Sequence, residues 1–426
     1  MKQLSRQIRS NAHLIVISGF LLLCVTVFLM PFPRSWSLYP LGLSMVAGLI
    51  LWIGNYKNLR QSFFIGLSHN LPPLLYFLII LLNDIFRTPE LRYLEGYFMF
   101  LLVPIFCFPL FSSQYFNDRK ELFIKSFILG ILIICLFEFL RAVTGWEIGG
   151  SATTDISFDP DSYTSPFRSQ KLSFLEHPTY LSMKVLFALT IMILFNKELK
   201  MRKSILFLII ALFVLYIYCL SSRTGLITLM LLFIYLTFKL LRRNKRLYYI
   251  LLLIPLALYG TYRLSITNPR IENKTNELLR KYKEGKIKFI EIDPRFTSWF
   301  ASVQLIKDHP LLGVGINSRD ILAEEYRKNG YNNEANLRLN AHNQFLETQL
   351  ALGIPGSLVL LWMLFAPLFR KAELWKPALY YSFLIILIIA FMFESVLVRQ
   401  WGIMFYTIFY CFQVNMRPVA ENTLDK

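Results

Sequence analysis

The chain has 426 residues, of which 55% are hydrophobic and 16% aromatic, and its mean hydropathy is +0.48. Only 17% are charged, against about 25% in an ordinary soluble domain, which excludes a soluble globular enzyme and indicates a polytopic α-helical membrane protein. The net charge of +18 does not indicate a nucleic-acid partner, because the Lys and Arg residues cluster in short loops between apolar runs and form no basic stripe with interleaved aromatics.

The first stretch, MKQLSRQIRSNAHLIVISGFLLLCVTVFLM, joins a basic start to an apolar core. That core is too long for a signal peptide and lacks a small-residue cleavage site, so a retained first span is expected. Uncharged runs long enough to cross a ~30 Å hydrocarbon core predict further spans near 37–54, 63–83, 93–111, 122–140, 178–195, 204–220, 223–240, 247–264, 350–369, 377–393 and 397–415. The fold class is therefore an all-α membrane protein of about twelve transmembrane helices. The third run carries SHNLPPLL at 68–75, and its two prolines predict an interruption. Glu138 is the main charge expected inside a span. The cysteines Cys24, Cys107, Cys135, Cys219 and Cys411 all fall in apolar runs and read as small packing residues.

An even number of spans puts both termini on one side. Loops on that side read YKNLR, NDRKELFIK, NKELKMRK, KLLRRNKR and RKAELWK, whereas the short opposite loops offer mainly Arg34, Arg87, Arg92, Arg223 and Arg399. The positive-inside rule makes the terminal side cytoplasmic. Two long connections, 141–177 and 265–349, then emerge outside. This divides the chain into an N-terminal bundle (1–264), an outer helical loop (265–349), and the last three spans with a cytoplasmic tail (350–426).

The larger loop has its own helix signals. ENKTNELLRKYKEGK at 272–286 is helix-forming and charged. In DPRFTSWFASVQLIKDHP, Asp293 is an N-cap and Pro294 the first helical residue. That helix is expected to stop before His309-Pro310. A following helix in INSRDILAEEYRKNG is stopped by Gly330.

Among residues able to carry chemistry, His177 precedes Pro178 and His309 precedes Pro310, positions that suit capping. His342 lies in NAHNQFLE, where an amphipathic helix begins with Phe345, Leu346 and Leu350 on one face. The positive end of a helix dipole disfavours imidazolium, so His342 suits a general base; the alternative is an interfacial histidine bonded to a backbone carbonyl. Arg223 in SSRTG stands at the start of a span, where it either snorkels or binds an anion. Arg295 and Trp299 share a helix face at i and i+4, either stacked on one another or with Arg295 reaching an anion while Trp299 anchors the helix. No P-loop, HExxH or Cys/His cluster is present, so no metal or cofactor is expected. FDPDSY at 158–163 spaces Asp159 and Asp161 as a metal-sugar motif would, but Pro160 between them favours a solvated turn.

SSRTG at a span boundary, then RFTSWFASVQLIKDHPLLGVG, then AHNQFLETQLALGIPG closely resembles the O-antigen ligase and polymerase family over about residues 205–365. That resemblance implies a membrane GT-C-type glycosyltransferase moving a glycan from undecaprenyl diphosphate to an acceptor hydroxyl at the periplasmic face of the bacterial inner membrane. The acceptor would be lipid A core, another glycan or a protein, and the transfer would be metal-independent and inverting. Matched motif by motif, the resemblance gives His342 the base role and Arg223 and Arg295 the diphosphate, with Trp299 and Asn343 in support. The family's arginine motif is commonly Ser-Arg-Gly, and here Thr224 precedes Gly225. Ligase, polysaccharide polymerase and protein O-oligosaccharyltransferase share this constellation. A transporter or flippase is the reading from a different class, and it would require charged residues in midplane spans and broken helices.

Overall fold

The structure is a computed structural model that describes residues 2–54, 56–87, 94–144, 169–220, 222–243, 293–369 and 376–416, with isolated residues between these stretches. Among the described residues the regular elements are all helical. The principal helices are α1 (Lys2–Leu29), α2 (Arg34–Gly54), α3 (Tyr56–Arg87), α4 (Met99–Phe106), α5 (Gln114–Thr144), α6 (Pro178–Leu194), α7 (Lys203–Cys219) and α8 (Arg223–Arg243). They continue with α9 (Pro294–Asp308), α10 (Ser318–Lys328), α11 (Asn332–Asn336), α12 (Gln344–Phe369), α13 (Pro377–Phe393) and α14 (Gln400–Asn415).

Among the described residues five helices are long and apolar enough to cross a membrane: Asn11–Leu29, Arg34–Gly54, His69–Arg87, Gln114–Thr144 and Gln344–Phe369. Glu95–Phe106, Pro178–Leu194, Lys203–Cys219 and Pro377–Phe393 are shorter apolar helices. The protein is thus an all-α, multi-pass membrane protein. The expected span at 247–264, the FDPDSY segment and most of 272–286 lie outside the described residues.

Helices α1, α2 and α5 pack together, α13 lies against α6 and α8, and α14 lies against α4. The centre is aromatic: the Phe409 ring sits 4.7 Å from Phe127 and 4.8 Å from Phe187. Lipid tails are as apolar as these side chains, so close van der Waals packing is what favours protein contacts over lipid contacts.

The structure corrects two expectations. The third span is unbroken, with Pro72 and Pro73 inside α3. Pro73 has no N–H for the His69 carbonyl four residues back. The Tyr410 hydroxyl of α14 donates to that carbonyl instead, so a neighbouring helix repairs the break. Glu138 is also not the main charge within a span. Lys184 lies inside α6 at 1% exposure and Asp84 inside α3 at 2%. Lys184 donates to both carboxylate oxygens of Glu176, at 2.6 and 2.8 Å, and to the Met30 carbonyl at 2.8 Å.

Two of the loops expected on one side, NKELKMRK and RKAELWK, meet. Lys376, just before α13, pairs with Glu198, just after α6, and its ammonium lies 3.9 Å from the centre of the Phe195 ring. The opposite ends of α6 and α13 carry His177 and Glu394, and the site is built there.

Candidate active site

Helix α9 forms as its sequence dictates. Asp293 caps it, Oδ1 accepting from the Arg295 N–H at 3.0 Å, with Pro294 at the first position, and it ends at Asp308 before His309. Helix α10 likewise ends at Lys328, with Gly330 beyond it at φ 80°. The second oxygen of Asp293 accepts from Arg223 Nη1 at 3.3 Å. One carboxylate therefore links the side chain of Arg223, the first residue of α8, to the backbone at the start of α9, where Arg295 stands. Arg223 is 59% exposed, so its ion pair contributes about 1 kcal/mol at most. Ser222 caps α8, its Oγ accepting from the Gly225 N–H at 3.2 Å, while a Cβ on Gly225 would stand 3.0 Å from Ser182 Cβ of α6. The departure at Thr224 thus leaves a capped helix start, and Thr224 itself is buried.

The loop carrying His342 is over-determined. His342 has φ 45°, a left-handed conformation that costs a non-glycine residue on the order of 1 kcal/mol and persists only where its surroundings enforce it. Asn340 Oδ1 accepts from the His342 N–H at 3.0 Å, and Glu347 Oε2 accepts from the Ala341 N–H at 2.9 Å. Asn343 then caps α12, its Oδ1 accepting from Phe345 and Leu346 at 2.9 and 3.1 Å, and its Nδ2 donates to the Met392 carbonyl of α13 at 3.2 Å. Glu347 also accepts from Ser318 Oγ at 2.8 Å and Ser395 Oγ at 3.3 Å. Gln344 accepts from the Leu397 N–H at 2.6 Å. The first turn of α12 is thereby tied to α10 and to the connection between α13 and α14.

Farther along, α12 bends at Gly353, with φ 65° and ψ −159°. The bend frees the Leu350 and Ala351 carbonyls, which accept from Val314 at 2.7 Å and Gly315 at 3.0 Å. The Ile354 N–H and the Gln349 side chain reach back to the Pro310 carbonyl at 3.2 and 2.8 Å. The loop HPLLGVG and the bend LGIPG thus close on each other. A Cβ on Gly353 would stand 2.2 Å from the Leu311 carbonyl oxygen, and one on Gly313 2.5 Å from that of Leu350.

Beside His342 stands a residue that the sequence reading missed. Glu394, at the end of α13, places Oε2 3.6 Å from His342 Nδ1, an ion-pair distance rather than a hydrogen bond. Burial alone would raise the Glu394 carboxyl. The adjacent His342 imidazole, then His177 and Arg295, outweigh burial and hold it down at about 2, so Glu394 is ionised at any physiological pH. A lone carboxylate in FMFESVLV, between two apolar runs, was a readable signal because an ionisable group there is costly. Arg295 lies with its guanidinium 6.0 Å from the centre of the Phe393 ring. Trp299 packs on Phe393 and Phe296, at 6.5 and 5.7 Å between centroids, so Arg295 stacks on Phe393 rather than on its i+4 neighbour. His309 closes α9 as a terminal residue. His177 caps α6, as its sequence position suggested, yet it also feels the charges of Glu394, His342, Arg399 and Arg295. No His/Cys/Asp/Glu group among the described residues is arranged to hold a metal ion.

The architecture defines a multi-pass α-helical membrane protein with a polar site, rich in histidine and arginine, where several helix ends converge. Residues 206–362 match the family model described as O-antigen ligase, and this stretch contains Arg223, Arg295 and His342, as the motif resemblance implies. No curated protein matches the chain.

Proposed function

We propose that the protein is an O-antigen ligase-like glycosyltransferase of the bacterial inner membrane. It has twelve spans, both termini cytoplasmic and the site on the periplasmic face. It moves a glycan from undecaprenyl diphosphate onto an acceptor hydroxyl. The observation that carries this reading is His342, in the matched segment, standing beside Glu394, together with Asp293 linking the Arg223 side chain to the backbone of Arg295.

The acceptor oxygen bonds to the anomeric carbon as that carbon's bond to the diphosphate oxygen breaks. His342 Nε2 takes the acceptor proton, and Glu394 beside Nδ1 stabilises the imidazolium so formed. The electron pair leaves with the diphosphate. Its charge is met by the Arg223 and Arg295 guanidiniums and by the N-termini of α8 and α9. The donor is already activated, so no nucleotide is needed, and a single displacement inverts the anomeric centre.

Purified protein given lipid-linked glycan extracted from a deletion strain tests this reading. His342→Ala should lower turnover by roughly 10²–10⁴-fold, the usual span for losing a general base. Donor binding should survive, because the arginines hold the diphosphate independently of the imidazole. Near-normal turnover in that variant would remove the base assignment. The deletion strain's own lipid profile separates the closest alternatives: long chains on carrier lipid mean ligase, and single repeat units mean polymerase.

A further inference from the structure

We propose that residues 309–315, in the connection from α9 to α10, are seated in the bilayer on the face that carries His342, with Leu311 and Leu312 entering the lipid acyl chains. The proposal needs only the membrane-spanning fold and stands apart from the glycosyl-transfer reading. Leu311 is 67% exposed and Leu312 63%, and the residues leading to them, Lys307, Asp308 and His309, are polar and exposed. Two adjacent leucines turned outward beyond a charged helix end need a cover.

Two helices set the depth of this loop independently. Both α12 and the apolar part of α3 are long and apolar enough to span. In α12 the polar first turn, with Gln344, Glu347, Thr348 and Gln349, gives way at Leu350 to an apolar run that reaches Phe369. That run has about 20 residues, or ~30 Å of helix, the thickness of the hydrocarbon core. Leu350 therefore stands at its edge. Val314 and Gly315 donate to the Leu350 and Ala351 carbonyls at 2.7 and 3.0 Å, and Ile354 donates to the Pro310 carbonyl at 3.2 Å. The loop thus lies alongside the first apolar turn. In α3, Asn83 Nδ2 donates to the Leu312 carbonyl at 3.3 Å, about one turn inside the Arg87 end of that span. Both helices put the leucines about one turn below the membrane edge.

Non-helical backbone is tolerated at that depth only where protein meets its polar groups. The Pro310 carbonyl accepts from Ile354 and Gln349, the Leu312 carbonyl from Asn83, and the Gly313 N–H donates to the His309 carbonyl. Pro310 has no N–H to satisfy. Water would serve the same groups in a loop outside the bilayer, so this closure favours lipid over solvent as the cover. Ile354 and Leu358 of α12 and Ile85 and Phe86 of α3 are exposed too, as lipid-facing residues of the two spans. The seat holds the end of α9, the helix of Arg295, at the membrane against α12, the helix that follows His342.

Site-directed fluorescence in lipid nanodiscs tests the seat. Full-length protein carrying Cys219→Ser, which removes the half-buried cysteine, is given Leu311→Cys or Leu312→Cys and labelled with bimane. The other native cysteines are buried. Lipid brominated on its acyl chains should quench both probes by about 2-fold or more relative to unbrominated lipid, as it should a probe at Leu358→Cys within α12. Lys328→Cys, 71% exposed at the end of α10, should answer to aqueous iodide and not to bromine. Iodide quenching without bromine quenching at either leucine would put the loop in water and overturn the proposal. Resistance to both quenchers would overturn it too, because the leucines would then be covered by protein. Should a labelled variant not fold, Leu311→Trp or Leu312→Trp, read as emission added over the native tryptophans, answers with the same quenchers. A His342→Ala enzyme with normal turnover would remove the base assignment and leave this proposal untouched.

Discussion

The aromatic bundle and the stretch from Pro310 to Gln349 cohere by different means. Around Phe127, Phe187, Phe405 and Phe409 the contacts are ring on ring, 4.7 to 6.1 Å apart, and none depends on a particular hydrogen bond. From Pro310 to Gln349 the chain is held by directed bonds: Val314 and Gly315 on the freed carbonyls of α12, and the donors gathered on Glu347. A packed apolar core accepts shape changes with modest loss. A hydrogen-bonded junction between two backbones does not, because neither chain can move without leaving buried polar groups unpaired. The region that must place His342 is therefore the less tolerant one.

The largest effect expected from this contrast is at Gly353. Gly353→Ala puts a Cβ about 2.2 Å from the Leu311 carbonyl oxygen at a positive φ, so the Pro310–Gly315 loop must lift away. Displacing a site by about 1 Å can cost on the order of 10²-fold in rate, and a loss of at least that size is expected. Phe409→Leu, in the aromatic centre of the bundle, should retain most of its turnover although it removes several atoms where Gly353→Ala adds only one. Equal losses in the two variants, measured as turnover per folded protein, would erase the distinction between the regions.

A smaller effect is expected at the arginines, which differ in how firmly the fold holds them. Arg295 is partly buried over Phe393, whereas Arg223 is 59% exposed and, among the described residues, tied through Asp293. Arg295→Ala should lower donor kcat/KM by about 10–100-fold, the loss of a charge-assisted bond of about 1.5–3 kcal/mol, and Arg223→Ala by less. Arg→Lys at either site keeps the charge without the planar fork and should restore part of the activity. Alanine variants at both sites with normal turnover at limiting donor would show that the diphosphate is bound elsewhere.

What could be read in advance follows the range of each interaction. The ends of α9 were legible because Asp293, Pro294 and the His309-Pro310 pair act on their own neighbours. The prolines of α3 were misjudged because the relief comes from Tyr410, more than three hundred residues away in the chain. Lys184 stood in plain sight within an apolar run, and its partner Glu176 just outside it was the missing clue. His342 was legible as a polar residue at a helix start. Its pairing with Glu394 was not, because bonds between residues far apart in the chain, Asn343 to Met392, Ser395 to Glu347 and Leu397 to Gln344, bring the two together.

The smallest expected effect concerns Glu394 and sharpens the comparison through pH. Its carboxyl sits at about 2 in the folded protein, below the roughly 4.3 of an unfolded glutamate. A depressed folded value means that the ionised carboxylate adds stability above the unfolded pKa and loses it as pH falls toward 2. The difference in melting temperature between wild type and Glu394→Gln in detergent should therefore shrink as pH falls below about 4. Between pH 5 and 8 Glu394 itself stays ionised, so any acid limb in the rate cannot come from it and should belong to a histidine. The limb should persist in Glu394→Gln and vanish in His342→Ala. A limb that disappears with Glu394→Gln alone would mean that the carboxylate, not the imidazole, takes the acceptor proton.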